Sequence, residues 1–145
     1  MFDQILNYFR KKNEQTELNS KKAILIVDDD EIDRKLIKKI VDRQNYRVLL
    51  AENGEVGLQI ARDEKPDLIV LDCQMPVMGG LEMCRRLKND TAIAHIPVLF
   101  LTSNDTPKNV IECFEVDAAN YLSKPVNAKI LTSHIETILA EKSSK

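Results

Sequence analysis

The sequence predicts an α/β domain on a five-stranded parallel sheet, and three observations carry that prediction. Five short, mostly apolar segments recur between Ala23 and Ala140, each followed by a stretch whose apolar residues fall at helical spacing. Nearly all five are continuous apolar runs, the pattern of strands buried on both faces. Four of them end in residue types that carry chemistry, which is where open α/β sheets place their sites. Strict alternation of strand and helix in 145 residues implies right-handed crossovers and a doubly wound, three-layer domain. Spacing alone leaves the strand order open.

The elements can be justified in turn. Residues 23 to 28 form the first strand candidate, Ala23-Ile24-Leu25-Ile26-Val27 closed by Asp28. Ile32, Leu36, Ile37, Ile40 and Val41 then mark one face of a helix. Residues 46 to 51 are the second strand candidate, after which Asn53 before Gly54 suits a helix start and Pro66 a helix stop. Residues 67 to 72 form the third, ending in Asp72, with Gly79-Gly80 as a weaker helix opening. The fourth spans 97 to 102, followed by Thr106 as an N-cap, Pro107 in the first helical position, and an apolar face of Val110, Ile111 and Phe114. Residues 119 to 123 close the set, before a last helix with Ile130, Leu131, Ile135, Ile138 and Leu139.

Composition excludes several classes. Twenty-one basic and twenty-three acidic residues leave a net charge of −2, no electrostatic basis for binding nucleic acid. No apolar run is long enough for a transmembrane segment. Cys73, Cys84 and Cys113 are odd in number and scattered, so neither disulfides nor zinc are expected, and a cytoplasmic location fits best. Strand alternation turns Cys73 away from Asp72, so it should pack as a small apolar group. His95 and His134 have no partners at ligand spacing.

Residues 1 to 22 stand apart as an N-terminal amphipathic segment and linker. Phe2, Ile5, Leu6 and Phe9 recur at helical spacing, followed by Arg10-Lys11-Lys12 and a polar stretch from Asn13 to Ser20 that reads as flexible. The bare apolar face needs cover, from the domain itself, a second copy, a partner or, more weakly, a membrane surface. The domain proper is expected over 23 to 141, with 142 to 145 as a polar tail.

The strand-end residues suit a single chemistry. Asp72 can accept a phosphoryl group only where the repulsion between its carboxylate and the incoming oxygens is cancelled. Asp28 and Asp29, with Asp72, could hold Mg2+ or Mn2+, and the backbone carbonyl of Gln74 could add a fourth ligand. Lys124 supplies a fixed positive charge, and Thr102 a hydroxyl that could donate to a phosphoryl oxygen.

Together, Ile26-Val27-Asp28-Asp29, Leu71-Asp72-Cys73-Gln74-Met75-Pro76 with Gly80, Leu101-Thr102-Ser103 and Tyr121-Leu122-Ser123-Lys124-Pro125 closely resemble the receiver domains of two-component response regulators, across residues 23 to about 140. The resemblance implies the flavodoxin-like strand order 2-1-3-4-5. It implies Asp72 as phosphoacceptor, Asp28 and Asp29 as the acidic pair for the cation, Thr102 and Tyr121 as the switch pair, Lys124 as the phosphate-binding cation, and a cis bond between Lys124 and Pro125. It implies a histidine kinase or phosphotransfer protein as donor, and a downstream protein target on the face of the fourth repeated helix, fifth strand and fifth repeated helix. The chain would then be a stand-alone signalling module and not an enzyme.

Gln74 and Asn104 match the positions that flank the path of hydrolytic water in this family. Both are uncharged amides and weak bases, so no unusually fast loss of the phosphoryl group is expected. Asp117 stands where the family usually has Gly, at a helix end that favours a left-handed backbone, and Gly79 replaces a commonly acidic residue.

Three alternatives differ in class. A haloacid dehalogenase-type phosphatase has a second Asp two residues after the nucleophile to protonate the leaving group; here that position is Gln74. A flavin-binding protein needs a phosphate-cradling loop after the first strand, where Asp28-Asp29-Asp30 would repel phosphate. A receiver-like binding module that works without phosphorylation is the nearest competitor.

Overall fold

In the computed structural model, which describes residues 1–143, the chain runs α1 (Phe2–Ser20), β1 (Ala23–Val27), α2 (Glu31–Asp42), β2 (Arg47–Ala51), α3 (Gly54–Glu64), β3 (Leu68–Asp72), α4 (Gly80–Lys88), β4 (Val98–Thr102), α5 (Pro107–Glu115), β5 (Asn120–Ser123) and α6 (Ala128–Ser143). The five strands are parallel in the order β2-β1-β3-β4-β5, the order implied by the resemblance.

The strand pleat divides the core in two. Leu25, Val27, Ile69, Leu71, Val98 and Phe100 point to one face and pack with residues of α3, α4 and α5. Ile24, Ile26, Leu68, Val70, Leu99 and Leu101 point to the other, against α2 and α6. β1, β3 and β4 are buried along their whole length, as continuous apolar runs require. The two edge strands depart from that expectation: β2 and β5 are largely half-buried, because each lacks a neighbour on one side, and Leu50 and Ser123 reach solvent.

Several capping residues act as the sequence predicts. Asn53 accepts from the Val56 N–H at 2.9 Å, and Thr106 accepts from the Asn109 N–H at 3.4 Å with Pro107 in the first turn. α5 ends in a Schellman turn: the Asp117 N–H donates to Phe114 O, the Ala118 N–H to Cys113 O, and Asp117 takes the left-handed conformation at φ 64°. α4 opens at Gly79 without a side-chain cap.

The predicted apolar faces need correction at three helices. In α2, Ile37, Ile40 and Val41 enter the core, whereas Ile32 and Leu36 are exposed. In α5 the inward residues are Asn109 and Cys113, one turn apart; Ile111 and Phe114 point outward. In α6, Ile130 is exposed while Leu131, Ile135, Ile138 and Leu139 are buried. Apolar spacing recorded a helix in each case; in α2 and α6 it drew the buried stripe too wide, and only in α5 did it place the stripe one residue off.

The ends also differ from expectation. α1 continues to Ser20, through the stretch 13 to 20 predicted as a linker, because Arg10 to Glu17 is rich in good helix formers. Its Phe2, Ile5, Leu6 and Phe9 are exposed. At the other end α6 reaches Ser143, so residues 142 and 143 are helical and not tail, and Lys142 Nζ donates to Asp67 O at 3.3 Å. Residues 144 and 145 lie outside the described residues.

Candidate functional site: an acidic crevice at the strand ends

β1 and β3 are neighbours, and the chain leaves their carboxyl ends toward opposite faces of the sheet, which opens a crevice between them. Val27 pairs with Leu71, so Asp28 and Asp72 stand side by side at the two strand ends. On the other flank Asp72 pairs with Leu101, which puts Thr102 at the same rim, and Thr102 pairs with Ser123, the residue before Lys124. The Lys124-Pro125 bond is cis.

Asp28, Asp29 and Asp72 each offer a carboxylate oxygen, all within 4.8 Å of one another, with Asp28 and Asp72 buried and Asp29 exposed. Among the described residues this is the one group of three or more carboxylate, Cys or His side chains close enough to share a metal ion. An all-oxygen donor set of this kind suits a hard divalent cation such as Mg2+. Asp30 belongs elsewhere: its carboxylate caps α2, accepting from the Ile32 and Asp33 N–H groups at 2.8 and 3.1 Å.

Burial, the neighbouring Asp28 charge and a hydrogen bond with Asp29 push the Asp72 carboxyl up to about 7, against the opposing pull of Lys124 and the Gln74 N–H. That N–H donates to Asp72 Oδ1 at 3.2 Å. A cation among these carboxylates would relieve the same crowding of negative charge, so the residues present fit one.

Lys124 is the counter-charge. Its ammonium donates to Asp33 Oδ2 at 2.9 Å and Asp28 Oδ2 at 3.1 Å, and lies 3.6 Å from Asp72 Oδ1. Burial works against its charge, but the bonds to Asp33 and Asp28 and the charge of Asp72 outweigh it and hold the ammonium charged well above its ordinary range. Asp33 is a site residue that the sequence did not indicate. It stands in the first turn of α2, 91 positions from Lys124, where an acidic residue reads simply as favourable to the helix N-terminus.

The hydroxyl flank is neutral. Thr102 Oγ1 accepts from the Asn104 N–H at 2.9 Å and from Asn109 Nδ2 at 3.1 Å, and its single proton has two acceptors, Asn104 O at 2.9 Å and Gln74 Oε1 at 3.2 Å. Gln74 Oε1 also takes weaker bonds from the N–H and hydroxyl of Ser103, both at 3.4 Å. Asn104 Oδ1 accepts from the Thr106 N–H at 3.3 Å and so helps bend the loop. Asn109, the second residue that sequence reasoning missed, sits on the inner side of α5, one position before the residues read as its apolar face. Tyr121, half-buried on β5, meets Phe114 edge to face with ring centres 6.0 Å apart.

Gly80 shapes the crevice floor. A Cβ there would collide with the Asp72 carbonyl oxygen, so only glycine lets α4 start this close to the phosphoacceptor candidate. Cys73 is buried, and burial raises its thiol, as it does those of Cys84, to about 11, and Cys113, to about 12. All three stay protonated and pack as apolar groups, as expected for Cys73.

The family model for the response regulator receiver domain matches residues 24–136. The chain belongs to that family. Among curated receivers and their relatives, it is 40% identical over 119 residues to Histidine kinase P4 of Formosa agariphila, covering 82% of this chain but 9% of the kinase. It is 34% identical to the transcriptional regulatory protein AfsQ1 of Streptomyces coelicolor, over 81% of this chain and 51% of that protein. The receiver thus spans about half, or far less, of these relatives' length. A solved CheY-like receiver from Methanospirillum hungatei superimposes with a TM-score of 0.81 at 28% identity, covering 86% of this chain and 98% of that one. The receiver domain is a signalling module of two-component systems, and no described helix of this one is long and apolar enough to cross a membrane.

Proposed function

We propose that this receiver accepts a phosphoryl group on Asp72 from the phosphohistidine of a histidine kinase or phosphotransfer protein, and that the phosphorylated state changes which protein it binds. The observation that carries the proposal is the convergence of three carboxylates within 4.8 Å and a lysine ammonium 3.6 Å from Asp72 in one crevice.

In the proposed reaction an Asp72 carboxylate oxygen attacks phosphorus, the P–N bond to the donor imidazole breaks with its electron pair staying on nitrogen, and a P–O bond forms. The imidazole then takes a proton from solvent. Asp28, Asp29, Asp72 and the Gln74 carbonyl would hold Mg2+, or Mn2+, and the ion would supply positive charge against the transferring oxygens. Lys124 is near enough to follow the phosphoryl group as its bond moves from nitrogen to Asp72, since its flexible stem already spans Asp28, Asp33 and Asp72. Asp72 must be ionised to attack, so the positive charge nearby also lowers the share of its inert protonated form.

Thr102 is the proposed sensor of the product. A phosphoryl oxygen on Asp72 offers its hydroxyl a charged acceptor, stronger than the neutral Asn104 and Gln74 carbonyls it now shares. Its displacement would vacate space beside β5, where Tyr121 could turn inward and alter the outward surface of α5, β5 and α6. Ile111, Phe114 and Ile130 already present apolar area there for a protein partner. Gln74 and Asn104 would flank the approach of water to the acyl phosphate, and as weak bases would leave its hydrolysis slow.

The test is intact-protein mass after incubation with a small acyl phosphate. One phosphoryl group should add with Mg2+, and none without it or in Asp72→Asn. Absence of addition to the parent under every condition would favour a binding module that works unphosphorylated.

A further inference from the structure

Four polar or charged residues are buried among those described: Asp28, Asp72, Thr102 and Asn109. The proposed chemistry uses the first three. Asn109 is 8% exposed on the inner side of α5, among apolar neighbours where a polar side chain is costly unless fully bonded.

Its amide is fully bonded, and its partners are specific. Nδ2 donates to Thr102 Oγ1 at 3.1 Å and to Asn104 O at 2.6 Å. Oδ1 accepts from the thiol of Cys73 at 3.6 Å, and Cys73 directly follows Asp72. One side chain on α5 therefore joins the strand end that carries the acceptor to the hydroxyl that would sense it. We infer that Asn109 is a positioning residue: it latches the Thr102 hydroxyl in its resting place and ties that hydroxyl to α5, so that movement of Thr102 toward a phosphorylated Asp72 releases α5. The inference rests on Asp72 as phosphoacceptor.

The direction follows from the bonds. In the resting arrangement Thr102 Oγ1 receives two donors, from Asn104 and Asn109. Turning toward Asp72 breaks at least the bond from Asn109, whose position is set by the helix. Removing that bond weakens the resting state selectively and shifts the population toward the active arrangement. Asn104 is exposed, so water can replace the amide at its carbonyl.

The test compares Asn109→Leu, close in size but unable to bond, with the parent, using beryllium trifluoride and Mg2+ as phosphoryl mimic and amide NMR shifts as readout. Affinity should rise by about threefold to tenfold, the range expected from one hydrogen bond. In the absence of the mimic, resonances of α5 and Tyr121 should move toward their positions in the bound parent. In a Thr102→Val background the same substitution should add nothing, since it acts through that hydroxyl. Asn109→Ser, too short to reach Thr102, gives the same comparison should the leucine variant fold poorly. A lower melting temperature with unchanged affinity and unshifted resonances would reduce Asn109 to packing and overturn the latch. An equal gain in the Thr102→Val background would overturn it too. If the parent itself fails to bind the mimic, the phosphoacceptor reading fails and the latch falls with it; if the parent binds and the variants match it, the latch alone fails.

Discussion

The crevice has two flanks built on opposite principles. On one, Asp28, Asp29, Asp33 and Asp72 gather four carboxylates, three of them against the single ammonium of Lys124, leaving an excess of negative charge held close together. On the other, Thr102, Asn104, Asn109 and Gln74 are neutral and each bonded to another of the set. The acidic flank can gain by binding a cation and a phosphoryl group, at the cost of the shared contacts of Lys124 and of the proton that the crowding favours on Asp72. The neutral flank can respond only by exchanging bonds it already has. Capture and readout are thus separated within one site: charge imbalance drives the first, and competition between hydrogen bonds sets the second.

The largest effect that could break this division is removal of the ammonium that pairs with its carboxylates. Lys124→Met should slow phosphorylation by a small acyl phosphate by about a hundredfold, the usual scale for losing a preorganised charge at a transferring group. It should also destabilise the fold by about 3 kcal/mol, because buried Asp28 and Asp72 lose their counter-charge. Thermal melts and timed mass spectra measure both. Near-parental rates would mean that the cation and the hydroxyl suffice, and that the flanks are less separate than their bonding suggests.

Acidity sharpens the same comparison. The Asp72 carboxyl binds its proton more tightly in the fold than in the unfolded chain, where it titrates near 3.8, so its contribution favours folding below that value and is lost as pH rises toward about 7. Stability without Mg2+ should therefore fall by a few kcal/mol at most between about pH 4 and 7 from this residue. Saturating Mg2+ should flatten that fall, and Asp72→Asn should abolish it. Melting temperatures across this window, with a chelator and with Mg2+, distinguish these outcomes. A parent and an Asp72→Asn variant with the same pH profile would refute the excess of charge at the acidic flank.

Much of the crevice, on both flanks, was legible in the sequence because strand ends give position as well as residue type. Asp28, Asp72, Thr102 and Lys124 each close a recognisable apolar run or follow one, and parallel order brings them to one edge. Asp33 and Asn109 were not legible for a common reason: each lies on a helix, and its role comes from a contact made by folding and not from local pattern. Asp33 reads as a first-turn acid, and Asn109 stands just before the apolar spacing of Val110, Ile111 and Phe114, whereas the true inward line is Asn109 and Cys113. α1 shows the complementary failure. Its apolar positions were read correctly, but where it ends depended on helix formers in a stretch whose polarity suggested a linker.

Asp117 offers a way to change the neutral flank's support without touching its bonds. The residue caps the far end of α5, the helix that carries Asn109, at a φ of 64° that costs a non-glycine residue roughly 1 kcal/mol. Asp117→Gly should raise stability by up to about 1 kcal/mol, partly offset by the freedom glycine adds to the unfolded chain, and leave phosphorylation unchanged. Urea unfolding measures the first and mass spectra the second. A lower stability would mean that the Asp117 side chain contributes more than its backbone costs.

Asp33→Asn is the smallest test and bears on whether the acidic flank holds its cation in reserve. The pair with Lys124 is the shortest of that ammonium's contacts, yet the Asp33 side chain is 38% exposed, so its loss should change stability by no more than about 0.5 kcal/mol. The effect on rate should have the opposite sense to the loss of a contact. An ammonium no longer shared with Asp33 has one less competitor when a phosphoryl oxygen arrives, and phosphorylation should quicken by about twofold to threefold, within the scale of a single exposed ion pair. Slower phosphorylation would instead give Asp33 the task of steering Lys124 into the crevice. In that case the acidic flank, like the neutral one, would depend on contacts it already holds.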